Sequence, residues 1–184
     1  MKIIETSLPG VLIVEPAVFR DPRGYFMETW RQSRYAEADI AAVFVQDNVS
    51  YSMKNALRGL HFQNPHPQAK LIQALDGEIF DVAVDIRQGS PTFGKWAGVR
   101  LSSGHPRQLY IPEGFAHGFV VLSDTALVAY KCSDYYDPKS ETAIVWNDPD
   151  IGIEWPVSNP VLSAKDAAAP RLHGTAAPLP HYRA

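Results

Sequence analysis

The sequence predicts an all-β domain with a few short helices, an antiparallel sandwich or barrel, and three observations carry that reading. Runs of β-branched and aromatic residues recur at short spacing, turn residues punctuate them, and helical periodicity is nearly missing between them. A length of 184 residues suits one domain, and a composition 46% hydrophobic and 20% charged supports a real core.

Taken in chain order, residues 11–20 (VLIVEPAVFR) and 25–30 (YFMETW) read as strands separated by the turn signal Asp21-Pro22-Arg23-Gly24. Further strands are expected at 42–52, 57–62, 69–75, 78–86, 97–103, 107–111, 117–122, 125–132 and 142–146. The clearest alternation is EIFDVAVDI, which puts Phe80, Val82, Val84 and Ile86 on one face and Asp81 and Asp85 on the other. Two inward carboxylates are costly in a sealed core, so that second face should be wet or line a polar cavity. Helical signals are confined to 31–39 (RQSRYAEAD) and a short turn over 162–167, where Ser163 is a candidate cap. From about Ala167 the chain turns Ala/Pro/Gly-rich, so a single domain over 1–167 followed by an extended or loosely ordered tail over 168–184 is expected.

A net charge of −3 and an isoelectric point near 6.0 leave no electrostatic footprint for nucleic acid or an anionic membrane. A small anionic ligand stays open, since a few placed arginines can hold one. The single cysteine, Cys132, excludes an intramolecular disulfide framework. Glu5, Pro9 and Gly10 interrupt the N-terminal segment, and no stretch approaches the ~18 apolar residues of a membrane span. The expected location is cytoplasmic, which makes the Asn48-Val49-Ser50 sequon accidental.

Two familiar signatures fail on inspection. The stretch from Gly89 to Trp96 nearly matches a phosphate-binding loop, but Trp96 stands where Ser or Thr must ligate magnesium, and Pro91 removes a backbone donor. The six histidines include no His-x-His and no His-x-x-x-His, so spacing gives no support for a metal, although His61, His105 and His117 could converge in space.

The most informative segment is LRGLHFQNPHPQAKL, from Leu57 to Leu71. Strict alternation puts Arg58 and His61 on opposite strand faces, and only a twist or bulge would bring both to one mouth. Lys70 opens the next apolar strand, either as an exposed strand end or as an internal cation that needs a partner. His117, flanked by glycine in IPEGFAHGF, is either a satisfied structural group or a functional one. Tyr130, Tyr135 and Tyr136 in YKCSDYYDP prove nothing by their presence, since strand tyrosines commonly pack their rings and leave the hydroxyl at the edge.

The ordered set DPRGYF, QDN, LRGLHFQ, the Lys70 strand, GEIFDVAVDIRQGSPTFGKW, YIPEGFAHGF, YKCSDYYDP and LSAKD closely resembles the dTDP-4-dehydrorhamnose 3,5-epimerase family from about residue 10 to residue 167. The resemblance implies a cupin-type jelly roll, a homodimer, no cofactor and no metal. It implies inversion of carbons 3 and 5 of dTDP-4-dehydro-6-deoxyglucose, both adjacent to a keto group. That chemistry asks for a base, an enolate stabiliser and an acid on the far face. By the same resemblance His61 is the base, Asp166 its orienting carboxylate, Lys70 the cation at the enolate oxygen and Tyr130 the proton donor. Arg23 and Arg58 fall on pyrophosphate-binding positions, and Glu28, Gln46, Asp47, Asn48, His117, Tyr136, Glu141 and Lys165 on other substrate contacts. The rival readings are an epimerase that inverts one carbon of a related keto sugar, a metal-dependent cupin isomerase or oxygenase, and a non-catalytic nucleotide-sugar binding module.

Overall fold

A computed structural model describes residues 1–182 of the chain; Arg183 and Ala184, the end of the expected tail, lie outside the described residues. Thirteen strands form among the described residues. They are β1 (Lys2–Glu5), β2 (Leu12–Glu15), β3 (Val18–Asp21), β4 (Gly24–Met27), β5 (Gln46–Met53), β6 (Leu57–Gln63) and β7 (Lys70–Asp76). Then follow β8 (Glu78–Asp85), β9 (Trp96–Ser102), β10 (Gln108–Ile111), β11 (Phe115–Val121), β12 (Thr125–Cys132) and β13 (Glu141–Ala143). The helices are short: α1 (Gln32–Ala36), α2 (Ala164–Ala167) and one 3₁₀ turn at Leu172–Gly174.

One sheet runs β1-β2-β10-β7-β12-β5, the other β13-β6-β11-β8-β9, and β3 pairs with β4 as a separate hairpin. The chain crosses between the sheets at almost every step, and all pairings of named strands are antiparallel, which is the jelly-roll arrangement of cupins. The predicted all-β class holds. The strand expected over 11–20 is two, because Pro16 cannot donate to a ladder and the chain turns there from β2 into β3. β1 and the 3₁₀ turn carry no signal strong enough to have been read from the sequence.

Between the sheets lies an apolar filling that includes Ile72, Ile79, Leu101, Leu109, Ile111, Phe119 and Val128. Each such side chain contributes roughly 1.5–3 kcal/mol, so the filled part of the sandwich can tolerate a polar cavity in the remainder. The outer face of the β13-β6-β11-β8-β9 sheet is covered by the C-terminal segment. Ile151, Trp155, Leu172 and Leu179 pack there on Leu60, Phe62, Val82, Val84 and Ile86. The alternation of EIFDVAVDI is thus resolved: its apolar side faces this cover and Asp81 and Asp85 point the other way. Neither carboxylate is wet: both are fully buried, Asp85 bound by Arg87 through both oxygens and Asp81 by His117 through Oδ1, with Asp81 Oδ2 left without a hydrogen-bond partner among the described residues. The opposite sheet is covered in part by residues 30–44, where the Trp30 ring meets Tyr35 tilted and Phe44 edge-to-face, at centroid distances of 4.6 and 4.7 Å. No helix is long and apolar enough to cross a membrane among the described residues.

Candidate active site

Strand β6 carries the decisive local distortion. His61 lies opposite His117 and Arg58 opposite Phe119, so three steps on β6 match two on β11. That one-residue bulge turns Arg58 and His61 to the same side, which strict alternation would forbid. Gly59 makes it fit: its φ is 123°, and a Cβ there would meet the Gly118 Cα at 2.5 Å. Only glycine supplies that conformation and that close approach.

The bulge opens into a cavity of about 630 Å³ between the sheets. His61 and His117 reach it from one sheet, and Lys70, Tyr130, Gln46 and Asn48 from the other. Strand β5 shows why the interior is polar here. Its inward residues are Gln46, Asn48, Ser50 and Ser52, while Val49, Tyr51 and Met53 point outward.

His61 Nε2 and Asp166 Oδ1 are 2.6 Å apart, and Asp166 is 3% exposed. Asp166 is delivered by α2, whose first turn is capped by Ser163: the Ser163 hydroxyl accepts the Asp166 amide at 3.1 Å. Burial pushes the Asp166 carboxyl up, but the hydrogen bond and charge of His61, the Ser163 hydroxyl and the Gly59 amide outweigh it and hold it below the usual range. A second pair sits behind: His117 Nε2 meets the fully buried Asp81 at 2.6 Å. Burial lowers the Lys70 pKa, against the opposing pull of Cys132, Glu141 and Asp81. Burial raises Tyr130, which keeps its proton across the ordinary range. At the mouth Glu141 binds Lys165 and accepts from the Tyr136 hydroxyl at 3.0 Å, and that bond raises the Tyr136 pKa. Tyr136 faces the cavity and Tyr135 is 66% exposed, so the adjacent tyrosines are distinguished.

Of the residues singled out in the sequence, Gln46, Asn48, Arg58, His61, Lys70, His117, Tyr130, Tyr136, Glu141, Lys165 and Asp166 line this one cavity. Arg23, Glu28 and Asp47 do not. Arg23 pairs with Asp21 at the exposed β3–β4 tip, Glu28 with Arg34, and Asp47 points outward to Lys131. Ser50, Gln68 and Cys132 also line the cavity and have no signal of their own among the motifs, and Asp81, which the sequence sets on a polar face, supports the site through His117. The polar alternation in β5 could have revealed Ser50, but nothing in the sequence joins Asp81 to His117. His105 lies far from both other histidines, beside Glu15. No three His, Cys, Asp or Glu side chains come close enough to share a metal ion among the described residues.

The profile of the family described as dTDP-4-dehydrorhamnose 3,5-epimerase matches residues 5–174. The dTDP-4-dehydrorhamnose 3,5-epimerase of Salmonella typhimurium is 59% identical over 175 residues, covering 94% of this chain and 96% of its own. That of Neisseria gonorrhoeae is 56% identical over 91% of this chain, which spans only about half (52%) of that longer relative. Among solved structures, the dTDP-6-deoxy-D-glucose-3,5-epimerase of Legionella pneumophila, in complex with dTDP-4-keto-L-rhamnose, superimposes with a TM-score of 0.96 at 53% identity, over 100% of this chain and 99% of the other. Fold and site together define a jelly-roll isomerase. The chain belongs to the dTDP-4-dehydrorhamnose 3,5-epimerase family.

Proposed function

We propose that the cavity inverts carbons 3 and 5 of dTDP-4-dehydro-6-deoxyglucose, with His61 as base, Lys70 at the enolate oxygen and Tyr130 as acid on the far face. The observation that carries this reading is the placement of His61 on one sheet and Lys70 and Tyr130 on the other, across a single cavity. A proton taken from one side of the sugar ring and returned from the other inverts the carbon. His61 can take it because Asp166 stabilises the imidazolium that results. Lys70 offsets the charge that develops on the keto oxygen, and Tyr130 enters the step with its proton in place. The substrate class is supported by the Legionella pneumophila structure, whose ligand is a dTDP-linked keto sugar.

The same reading makes the protein a homodimer. Val49 (65% exposed), Tyr51 (61%) and Met53 (60%) form an apolar row on the outer edge of one sheet, and Phe19 and Phe26 stand out on the hairpin. Such surface calls for a cover, and a two-fold axis sets the same apolar row of a second copy against it. Arg23 and Glu28, placed outside this chain's own cavity, then serve the partner's site.

Incubation with the keto sugar in heavy water, with no metal added, is expected to bring deuterium into carbons 3 and 5. Exchange at one carbon only would assign a single-site epimerase, and no exchange would contradict the proposal.

A further inference from the structure

Lys70 borders two spaces. One is the cavity. The other is a void of only about 10 Å³, whose walls include Phe62, Gln68, Gly114, Phe115 and Pro180 together with Lys70. Such a space lies at the lower limit of what one water occupies. Pro180 comes from the C-terminal segment, past residue 174 where the match to the family profile ends.

That segment is held at several points. The Gln88 amide donates to the Pro180 carbonyl at 2.8 Å, and the Tyr182 amide to the Gln88 carbonyl at 3.0 Å. Asn64 Nδ2 donates to the Pro178 carbonyl at 2.9 Å. The Tyr182 ring lies 5.0 Å from the Arg87 guanidinium, which also covers Phe115 at 4.4 Å. Arg87 is fixed in turn by both oxygens of the buried Asp85, at 2.9 and 2.7 Å. Phe115 is therefore both a wall of the void behind Lys70 and a contact of the arginine that anchors Tyr182.

We infer that residues 175–182 form a plug behind Lys70, with Pro180 and Tyr182 as positioning residues that keep water from the side of Lys70 turned away from the cavity. The inference rests on the reading of Lys70 as the cation at the enolate oxygen. The charged groups that act on Lys70 are Cys132 on β12, Glu141 on β13 and Asp81 on β8, and the titratable Tyr130, His61 and His117 line the same cavity. The acidic ones favour the ammonium form, and burial, part of it from the plug, opposes them. A cation kept from water stabilises a developing oxyanion more strongly than a hydrated one.

The test compares the full-length parent with a Pro180→Gly/Tyr182→Ala variant and a Tyr182→Phe variant. Competitive labelling with acetic anhydride, read by mass spectrometry, follows the titration of Lys70 without reference to turnover. Hydrogen exchange at the Gln88 amide reports whether the plug is seated. In the double variant Gln88 should lose protection and the Lys70 titration should move up by about 0.5–1 pH unit. The alkaline limb of kcat should follow it upward, while kcat at neutral pH falls about threefold to tenfold and KM stays nearly constant. Tyr182→Phe keeps the ring over Arg87 and should behave as the parent.

An unmoved Lys70 titration with Gln88 unprotected would overturn the inference. So would a Gln88 amide that stays protected, because Tyr182 and Pro180 would then not hold the segment. If the Lys70 titration moves and the alkaline limb does not, the plug stands and the role given to Lys70 in turnover fails.

Discussion

At the scale of the residue, His61 depends on Asp166, which lies 105 positions away in the chain. The pair has no sequence signature of its own. Its members come together because the bulge at Gly59 turns His61 inward and the Ser163 cap presents Asp166 from the first turn of α2. The sequence offers Ser163 as a candidate cap, while the pairing of His61 with Asp166 is legible only through family resemblance. Replacing Asp166 with asparagine keeps an acceptor for the Gly59 amide but removes the charge that steadies the imidazolium. Asp166→Asn is expected to leave the circular dichroism spectrum unchanged and to lower kcat by roughly 10³–10⁴. Near-normal turnover would show that His61 works without this carboxylate.

At the scale of the element, two short features decide the site. The first is the bulge in β6. Alternation alone put Arg58 and His61 on opposite faces, and it failed because a period of two cannot anticipate an inserted residue. Gly59→Ala places a Cβ 2.5 Å from the Gly118 Cα at a φ of 123°. The strand must then straighten or the sheets part, and a loss of at least about 2–3 kcal/mol in urea unfolding is expected, with activity lost as well. An alanine variant with parental stability would mean that the bulge does not need glycine.

The second element is the turn from β8 to β9, where the near-match to a phosphate loop serves a structural purpose. Burial pushes the Asp85 carboxyl up, but Arg87, Ser90, Thr92 and the Arg87 amide together bring it down to about 2. Its folded value is below its unfolded one, so the stabilisation is present above the unfolded value near 4 and is lost as pH falls toward 2. The gap corresponds to about 2.5 kcal/mol. Urea unfolding between pH 6 and pH 2.5 should show about two thirds of that loss, and Asp85→Asn should flatten it. An unchanged slope in the variant would assign the acid sensitivity to other carboxylates. The sequence reading had Asp81 and Asp85 facing a polar space. It could not show that each is closed off by a dedicated partner, because those partners come from other strands and loops.

At the scale of the whole molecule, the jelly roll was readable as a class from strand spacing and turn residues, and its sheet order was not. Which strands become neighbours depends on long-range packing that spacing does not encode. The place where Arg23 and Glu28 act was likewise hidden, since they look like any substrate-binding residues in one dimension. If they serve the partner's cavity, Arg23→Ala and His61→Ala proteins should each be nearly inactive alone. Mixed and allowed to exchange subunits, they should regain activity, because one site of each mixed dimer is then intact. No recovery in a mixture shown to contain mixed dimers would put Arg23 to work within its own chain or not at all.

The claim on which the rest depends is that His61 and Tyr130 act from opposite sides of the sugar. Isotope exchange in heavy water, followed in the Tyr130→Phe and His61→Asn proteins, separates their two tasks. Without the tyrosine proton, His61 should still remove the α-proton and return deuterium to the same face, giving exchange with retained configuration and little epimerised product. Without His61, exchange should cease. Inversion that persists in Tyr130→Phe, or exchange that survives in His61→Asn, would contradict the two-sided site.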